Sequence, residues 1–392
     1  MSHHKTHVLY FFLLICTGCI LNIFSVPVQA DLTVELLQNA KNGDAESQYL
    51  LSLYYSQGKN VSKNKTLSLH WLVKSAKQEH APALHDLAHF YETGVNLPEH
   101  NIHIPQNFQK AVQLYHKAAQ KNHFPALNAL GNAYLSGQGI KQDPAKALQC
   151  FQRGTILGDA AATRNLGLLY MHGNGVSQNA LRAFQLFLTA AEKGDTHAMN
   201  LVAFQYMQGK GVTQNYDEAI KWHQKAASLG DSEAQYQLGL HFISSNTVNK
   251  DVAQALHFFL CAAAQGHPEA QFQISECYYY GTGIPTDIKK SLFWLQKAAN
   301  NGSADAQYNL ACHYAKGEGV PKDIHLAFFY YQKAAEQGLP EAQFNLGICY
   351  LEGDGVEQNL EHALNFLTLA AEHGHEDAKK VLQSLSQDNQ KK

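Results

Sequence analysis

Apolar residues along this chain of 392 residues are spaced at offsets of 0, 4 and 8, and the whole set repeats. Its opening small residues are Ser47, Ala83, Ala126, Ala162, Ala198, Ala234, Ala270, Ala306, Ala342 and Ala378, which stand 36 apart at every step but one. From Ala83 to Ala126 the step is 43, which puts seven extra residues in one loop around 95–102. Four residues after each opening comes a branched aliphatic, as at Leu51, Leu130, Val202 and Ile274. Eight after it comes an aromatic, as at Tyr55, Tyr134, Phe242 and Tyr350. These offsets share one face of a helix, so each set predicts an amphipathic helix. A small residue at offset 5 (Gly131, Gly167, Ala203, Gly239, Ala311, Gly347) predicts that a neighbouring helix approaches closely.

A second helix is predicted in each unit. It starts at Asn64, Asn107, Asp143, Asn179, Asn215, Asp251, Asp287, Asp323 or Asn359. Asn and Asp there offer a short acceptor to the free N–H groups of a helix start. Small pairs such as Ala190-Ala191 and Ala334-Ala335 close these helices, and Gly-x-Gly joins the two helices at Gly137/Gly139, Gly209/Gly211 and Gly317/Gly319, among others. The sixth unit has Ser245 and Thr247 in place of those glycines. No helix pair this short buries its apolar face alone, so stacking is required. The expected fold is all-α, an α/α superhelical solenoid of about nine helix-turn-helix repeats over residues 31–385, ending in a single capping helix from about Gly374 to Leu385 and a polar tail at 386–392.

The columns together spell G-x-x-x-A-Q-x-x-L-G-x-x-Y, then G-x-G-V, then D/N, then A-x-x-W/F/Y, then A-A. Residues 230–239 and 338–347 are nearly complete examples. The pattern resembles the Sel-one-like repeat family, a relative of the tetratricopeptide repeats, over roughly Asn39 to Leu385. The resemblance implies an adaptor fold. It also implies a place among proteins of quality control and among secreted or envelope proteins of bacteria, some of which act on host cells and virulence. A cysteine-rich bacterial subgroup, with members described as penicillin-binding, pairs cysteines within each repeat. The scattered cysteines of this chain depart from that subgroup.

The first thirty residues differ from the rest. Lys5 and three histidines precede an apolar run from Val8 to Phe24, and Val28-Gln29-Ala30 supplies a small-x-small cleavage site. That reads as a signal peptide cut near Ala30, with a periplasmic or secreted product and no membrane span after the cut. Two alternatives stay open: an uncleaved anchor from Val8 to Val28, and lipoprotein processing at Cys19. The five cysteines that follow (Cys150, Cys261, Cys277, Cys312, Cys349) are odd in number and unevenly placed, so no disulfide framework is expected.

Lys plus Arg total 30 against 33 Asp plus Glu, and only Arg153, Arg164 and Arg182 are arginines. That balance provides no basic field for a nucleic-acid backbone. His85-Asp86-Leu87-Ala88-His89 puts two histidines on one helix face, with His100 and His103 nearby in the insertion, but Asp stands where a zinc protease carries its glutamate base. Solvated histidines are expected there, with no metal and no cofactor. The Gly-x-Gly loops follow helices rather than strands, which excludes a dinucleotide site. No nucleophile elbow is present. The three Asn-x-Ser/Thr sequons, at Asn60, Asn64 and Asn301, matter only in a eukaryotic secretory pathway.

The chemistry that remains is recognition. Offsets 3, 7 and 10 of the first helices are expected to form a stripe facing a groove: Asn165, His172, Gln205, Gln208, Gln237, His241, Gln273, Tyr280, Asn309, His313, Lys316, Asn345 and Glu352. Side-chain amides serve both donors and acceptors of an extended peptide. The expected function is therefore a noncatalytic scaffold, a monomer that binds other proteins or peptides in that groove. The alternative is a cell-envelope hydrolase or β-lactam-binding protein. It would need one unit with a nonrepeating cluster of ionisable groups.

Overall fold

Asn or Asp caps every one of the nine second helices in the way the sequence requires. Asn64 accepts from Leu67 N, Asp143 from Lys146 N, Asn215 from Glu218 N and Asn359 from His362 N. The computed structural model describes residues 26–97, 102–244 and 251–390, with side chains described over 34–96, 103–244 and 251–386. The apolar N-terminal run, including Cys19, therefore lies outside the described residues, as do His100, Ser245 and Thr247. The chain divides into two units, residues 1–178 and 179–392.

The first unit contains α1 (Val26–Lys41), α2 (Ala45–Gln57), α3 (Lys65–Lys77), α4 (Ala81–Thr93), α5 (Phe108–Gln120), α6 (Phe124–Ser136), α7 (Pro144–Ile156) and α8 (Ala160–His172). Helix follows helix in antiparallel pairs, with Ala83, Ala126 and Ala162 wholly buried where successive helices meet. The seven-residue insertion, expected as a loop, forms a hairpin instead. Strands β1 (Val95–Leu97) and β2 (Ile102–Ile104) pair antiparallel, with Val95 opposite Ile104. β-Branched residues at both ends of that ladder favour the extended backbone.

The second unit contains α9 (Ala180–Glu192), α10 (Thr196–Gln208), α11 (Tyr216–Ser228), α12 (Ser232–Ile243), α13 (Val252–Ala264), α14 (Pro268–Tyr280), α15 (Ile288–Asn300), α16 (Ala304–Lys316), α17 (Ile324–Glu336), α18 (Pro340–Glu352), α19 (Leu360–Glu372) and α20 (Glu376–Gln390). Helix α12 has 12 residues where its neighbours have 13, and it ends at Ser244 with extended backbone rather than a left-handed glycine. This is the unit whose loop glycines are replaced.

Two packing devices hold the helices together here, one within a repeat and one between repeats. The first is the small residue at offset 5. A side chain on Gly239 would overlap the ring of Phe259, which is fully buried, so the absent Cβ is what lets α13 settle against α12. Burying a Phe contributes about 1.5–3 kcal/mol relative to exposure. The second is a ladder of buried glutamines at offset 1. Gln271 Nε2 donates to the Ala263 carbonyl of the preceding repeat (3.0 Å), while its Oε1 accepts from Asn301 Nδ2 of its own repeat (2.8 Å). Gln307 repeats the arrangement with Ala299 O at 3.0 Å and Gln337 Nε2 at 2.8 Å. Gln343 repeats it with Ala335 O and His373. Each glutamine ties a helix end to two neighbours and satisfies polar groups that would otherwise be orphaned.

Candidate functional site

The first helices carry the expected stripe in both units. In the first unit, Asn165 is half-buried and donates through Nδ2 to Asn128 Oδ1 (2.8 Å) and Asn132 Oδ1 (3.3 Å). Those two asparagines also line a cavity of about 290 Å³ with His85, His89 and Glu92. His172 stands exposed on the last turn of α8, apart from this group.

His85 and His89 have separate partners. His85 Nδ1 lies 3.0 Å from Asp86 Oδ1, and its ring packs against Tyr115 and His123. His89 Nδ1 lies 3.3 Å from Glu92 Oε2, which also accepts from Tyr115 Oη at 2.7 Å. Burial and the His85 charge push the His123 ring down to about 4. Among the described residues, no group of three or more His, Cys, Asp or Glu is arranged to hold a metal ion.

In the second unit the stripe needs one correction. Gln205 is 1% exposed and lies in the interior, so it faces no groove. The reason is angular. At about 100° per residue, offset 7 falls only about 20° from offset 0, on the core side of the helix. The same column holds Cys277, 3% exposed, in α14. The remaining members are half-buried or exposed. Gln237 Nε2 donates to Glu233 Oε1 (2.7 Å), His241 packs edge-on against Phe242, and Gln273 and Asn345 are half-buried. Gln208 and Glu352 are exposed at helix ends.

Four proposed residues do converge. Tyr280 of α14 and Asn309, His313 and Lys316 of α16 line one open cavity of about 240 Å³. Tyr280 is 69% exposed and meets Tyr279 edge-on, with ring centroids 4.9 Å apart. His313 Nδ1 donates to the Glu318 carbonyl at 2.8 Å. The sequence reading missed the rest of the lining, chiefly Phe272, Glu276 and Tyr279, and the floor at Ser275 and Ser291. A signal existed. Ser275 breaks the Gly/Ala column at offset 5, and Leu295 stands where other repeats place Phe151, Phe187 or Phe259. The smaller Leu295 leaves the space that the cavity occupies.

The five cysteines are free thiols, and burial pushes Cys150, Cys277 and Cys349 up to about 11. With pKa values pushed up, these three thiols, of which Cys277 is buried and Cys150 and Cys349 half-buried, are poor nucleophiles. No helix among the described residues is long and apolar enough to cross a membrane.

A family model described as Sel1 repeat matches nine successive segments: 45–80, 81–123, 125–159, 160–195, 196–231, 232–267, 268–303, 304–339 and 340–375. Among solved structures, a protective antigen of uropathogenic Escherichia coli strains that displays an SLR fold is 30% identical, with a TM-score of 0.54. The match covers 88% of this chain and 80% of that one. A Sel1 repeat protein from Oxalobacter formigenes is 26% identical, with a TM-score of 0.56, over 96% of this chain and 99% of that one. No curated protein matches the chain.

Proposed function

The chain belongs to the Sel1 repeat family, and on that premise we propose that it is a noncatalytic scaffold that grips an extended segment of a partner protein along its first helices. Sel1 repeat proteins generally mediate protein–protein interaction. The observation that carries the reading for this chain is the open cavity of the second unit. Tyr280, Asn309, His313 and Lys316 meet there on the face of α14 and α16. Half-buried amides at Gln237, Gln273 and Asn345 occupy the same offset in neighbouring repeats as Asn309. Such positions suit a peptide backbone, which presents alternating donors and acceptors.

Replacing Gln237, Gln273, Asn309 and Asn345 together by Ala is expected to abolish capture of peptides selected on the wild-type chain, with helical circular dichroism unchanged. Undiminished capture by the quadruple variant would reject this surface.

The scaffold is taken to work outside the cytoplasm as a monomer, in the bacterial envelope or against host cells. The apolar run from Val8 to Phe24 and the small-x-small site at Val28–Ala30 support export. N-terminal sequencing of the protein from its native cells should begin at Asp31. A start at Met1 or at a lipidated Cys19 would replace this reading with one of its two rivals.

A further inference from the structure

We propose that the cavity between α14 and α16 is a socket for a single cationic side chain, the ammonium of a lysine or the guanidinium of an arginine, on the partner segment. This rests on the scaffold reading and names what its strongest pocket selects. Size comes first. About 240 Å³ is below the ~300 Å³ at which small-molecule sites begin, and it suits one long side chain.

The walls come next. Phe272, Tyr279 and Tyr280 give the cavity three aromatic rings, and Tyr279 also meets the His313 ring edge-on with centroids 6.1 Å apart. Aromatic rings attract a cation over their faces and pack against its aliphatic stem.

Hydrogen-bond polarity then decides the sign of the ligand. Ser275 Oγ and Ser291 Oγ are buried at the floor, 3.2 Å apart, and Ser275 Oγ donates its proton to the Ser291 carbonyl at 2.9 Å. The Ser291 hydroxyl lies within donating reach of Ser275 Oγ, so the two hydroxyls can satisfy each other at the floor. A carbonyl can only accept, so His313 Nδ1 carries a proton in its bond to the Glu318 carbonyl. Glu276 adds a carboxylate on the wall. The Glu276 carboxylate, set beside the mutually bonded Ser275 and Ser291 hydroxyls, suits an ammonium or guanidinium, with Asn309 and Lys316 as the donors elsewhere in the lining.

Glu276 also has no hydrogen-bond or ion-pair partner among the described residues. Burial, with the Asp305 charge second, holds its carboxyl above the usual carboxylate range. An incoming cation offsets both effects. Lys316 and Glu318 share the rim with one charge of each sign, so the excess within the cavity is the negative charge of Glu276.

The test uses the purified full chain and phage-displayed random dodecapeptides. Selected peptides are expected to share a Lys or Arg at one fixed position. Replacing that residue by the uncharged isostere norleucine should weaken binding about tenfold, the ~1.4 kcal/mol of a charge-assisted contact. Glu276→Gln should shrink this discrimination to about threefold or less, and Tyr280→Ala, at an exposed position, should weaken the lysine peptide without affecting helicity. Selected peptides that lack a fixed cation, or norleucine peptides that bind as well as lysine peptides, overturn the socket while leaving the scaffold standing. If no peptide is selected at all, both fall.

Discussion

Gly211→Ala is expected to lower stability by about 2–5 kcal/mol, whereas Gly230→Ala, 19 positions later, lowers it by about 1–2 kcal/mol. Both glycines sit in left-handed backbone, Gly211 at φ 75° and Gly230 at φ 88°, so both substitutions carry the left-handed penalty of roughly 1–2 kcal/mol. They differ in their surroundings. A Cβ on Gly211 would overlap the carbonyl of Ala180 at the start of α9 and stand 2.9 Å from Leu181 N, and backbone there cannot rotate away. A Cβ on Gly230 meets nothing within 4 Å. Overpacking adds about 1–3 kcal/mol at Gly211 only. The second glycine of the Gly-x-Gly loop therefore seats one repeat on the second helix of the repeat before it, beyond simply ending a helix. Urea unfolding followed by circular dichroism checks the pair. Equal losses for the two variants would mean that the loop conformation, and not the contact, sets the requirement for glycine.

His223→Leu is expected to remove about 2 kcal/mol of acid sensitivity between pH 7 and pH 4.5. His223 lies on α11 in the column that holds Phe187, Phe259 and Leu295 in other repeats, and it is 7% exposed. Burial pushes its ring down to about 4, against the opposing pull of Glu233 and Asp231 and with a smaller push from His241. The folded pKa therefore lies below the unfolded value of about 6.5. The unfolded chain binds a proton in this window and the folded chain does not. The stabilisation from a neutral, buried His223 is complete above about pH 6.5 and is lost as pH falls through about 4. His123 in the first unit acts in the same direction, but its greater exposure weakens the effect. Leucine matches the neighbouring column members and cannot titrate, so the variant should gain on the wild type as pH falls. Parallel stability–pH curves for the two proteins would show that His223 takes up its proton without opening the core.

Much of the architecture was legible because its signals are local. The Asn/Asp column places nine helix starts through a bond to a backbone N–H only two or three residues away, as Asp287 does with Lys290. The in-phase alanines from Ala83 to Ala378 mark a wholly buried position on the first helix of each repeat they open and on the capping helix. The recognition stripe was legible in part. Offsets 3 and 10 hold partly or fully exposed residues, while offset 7 is mixed: Gln205 is buried, but His241 and His313 are half-buried and His313 lines the cavity. The error came from grouping positions by linear spacing where a difference of about 20° in helical angle decides burial.

What the sequence by itself determined is the repeat: helix lengths, caps, glycine turns and the identity of the face that must be buried. All of these depend on interactions within about one repeat and recur in phase. Tertiary structure alone decided the hairpin at Val95–Leu97 and Ile102–Ile104, the paired hydrogen bonds of Gln271 and Gln307, and the cavity floored by Ser275 and Ser291. Those features depend on how the volumes of three helices add up in space. A leucine in place of a phenylalanine reads as the same apolar letter along the chain, yet between packed helices it leaves room for a ligand.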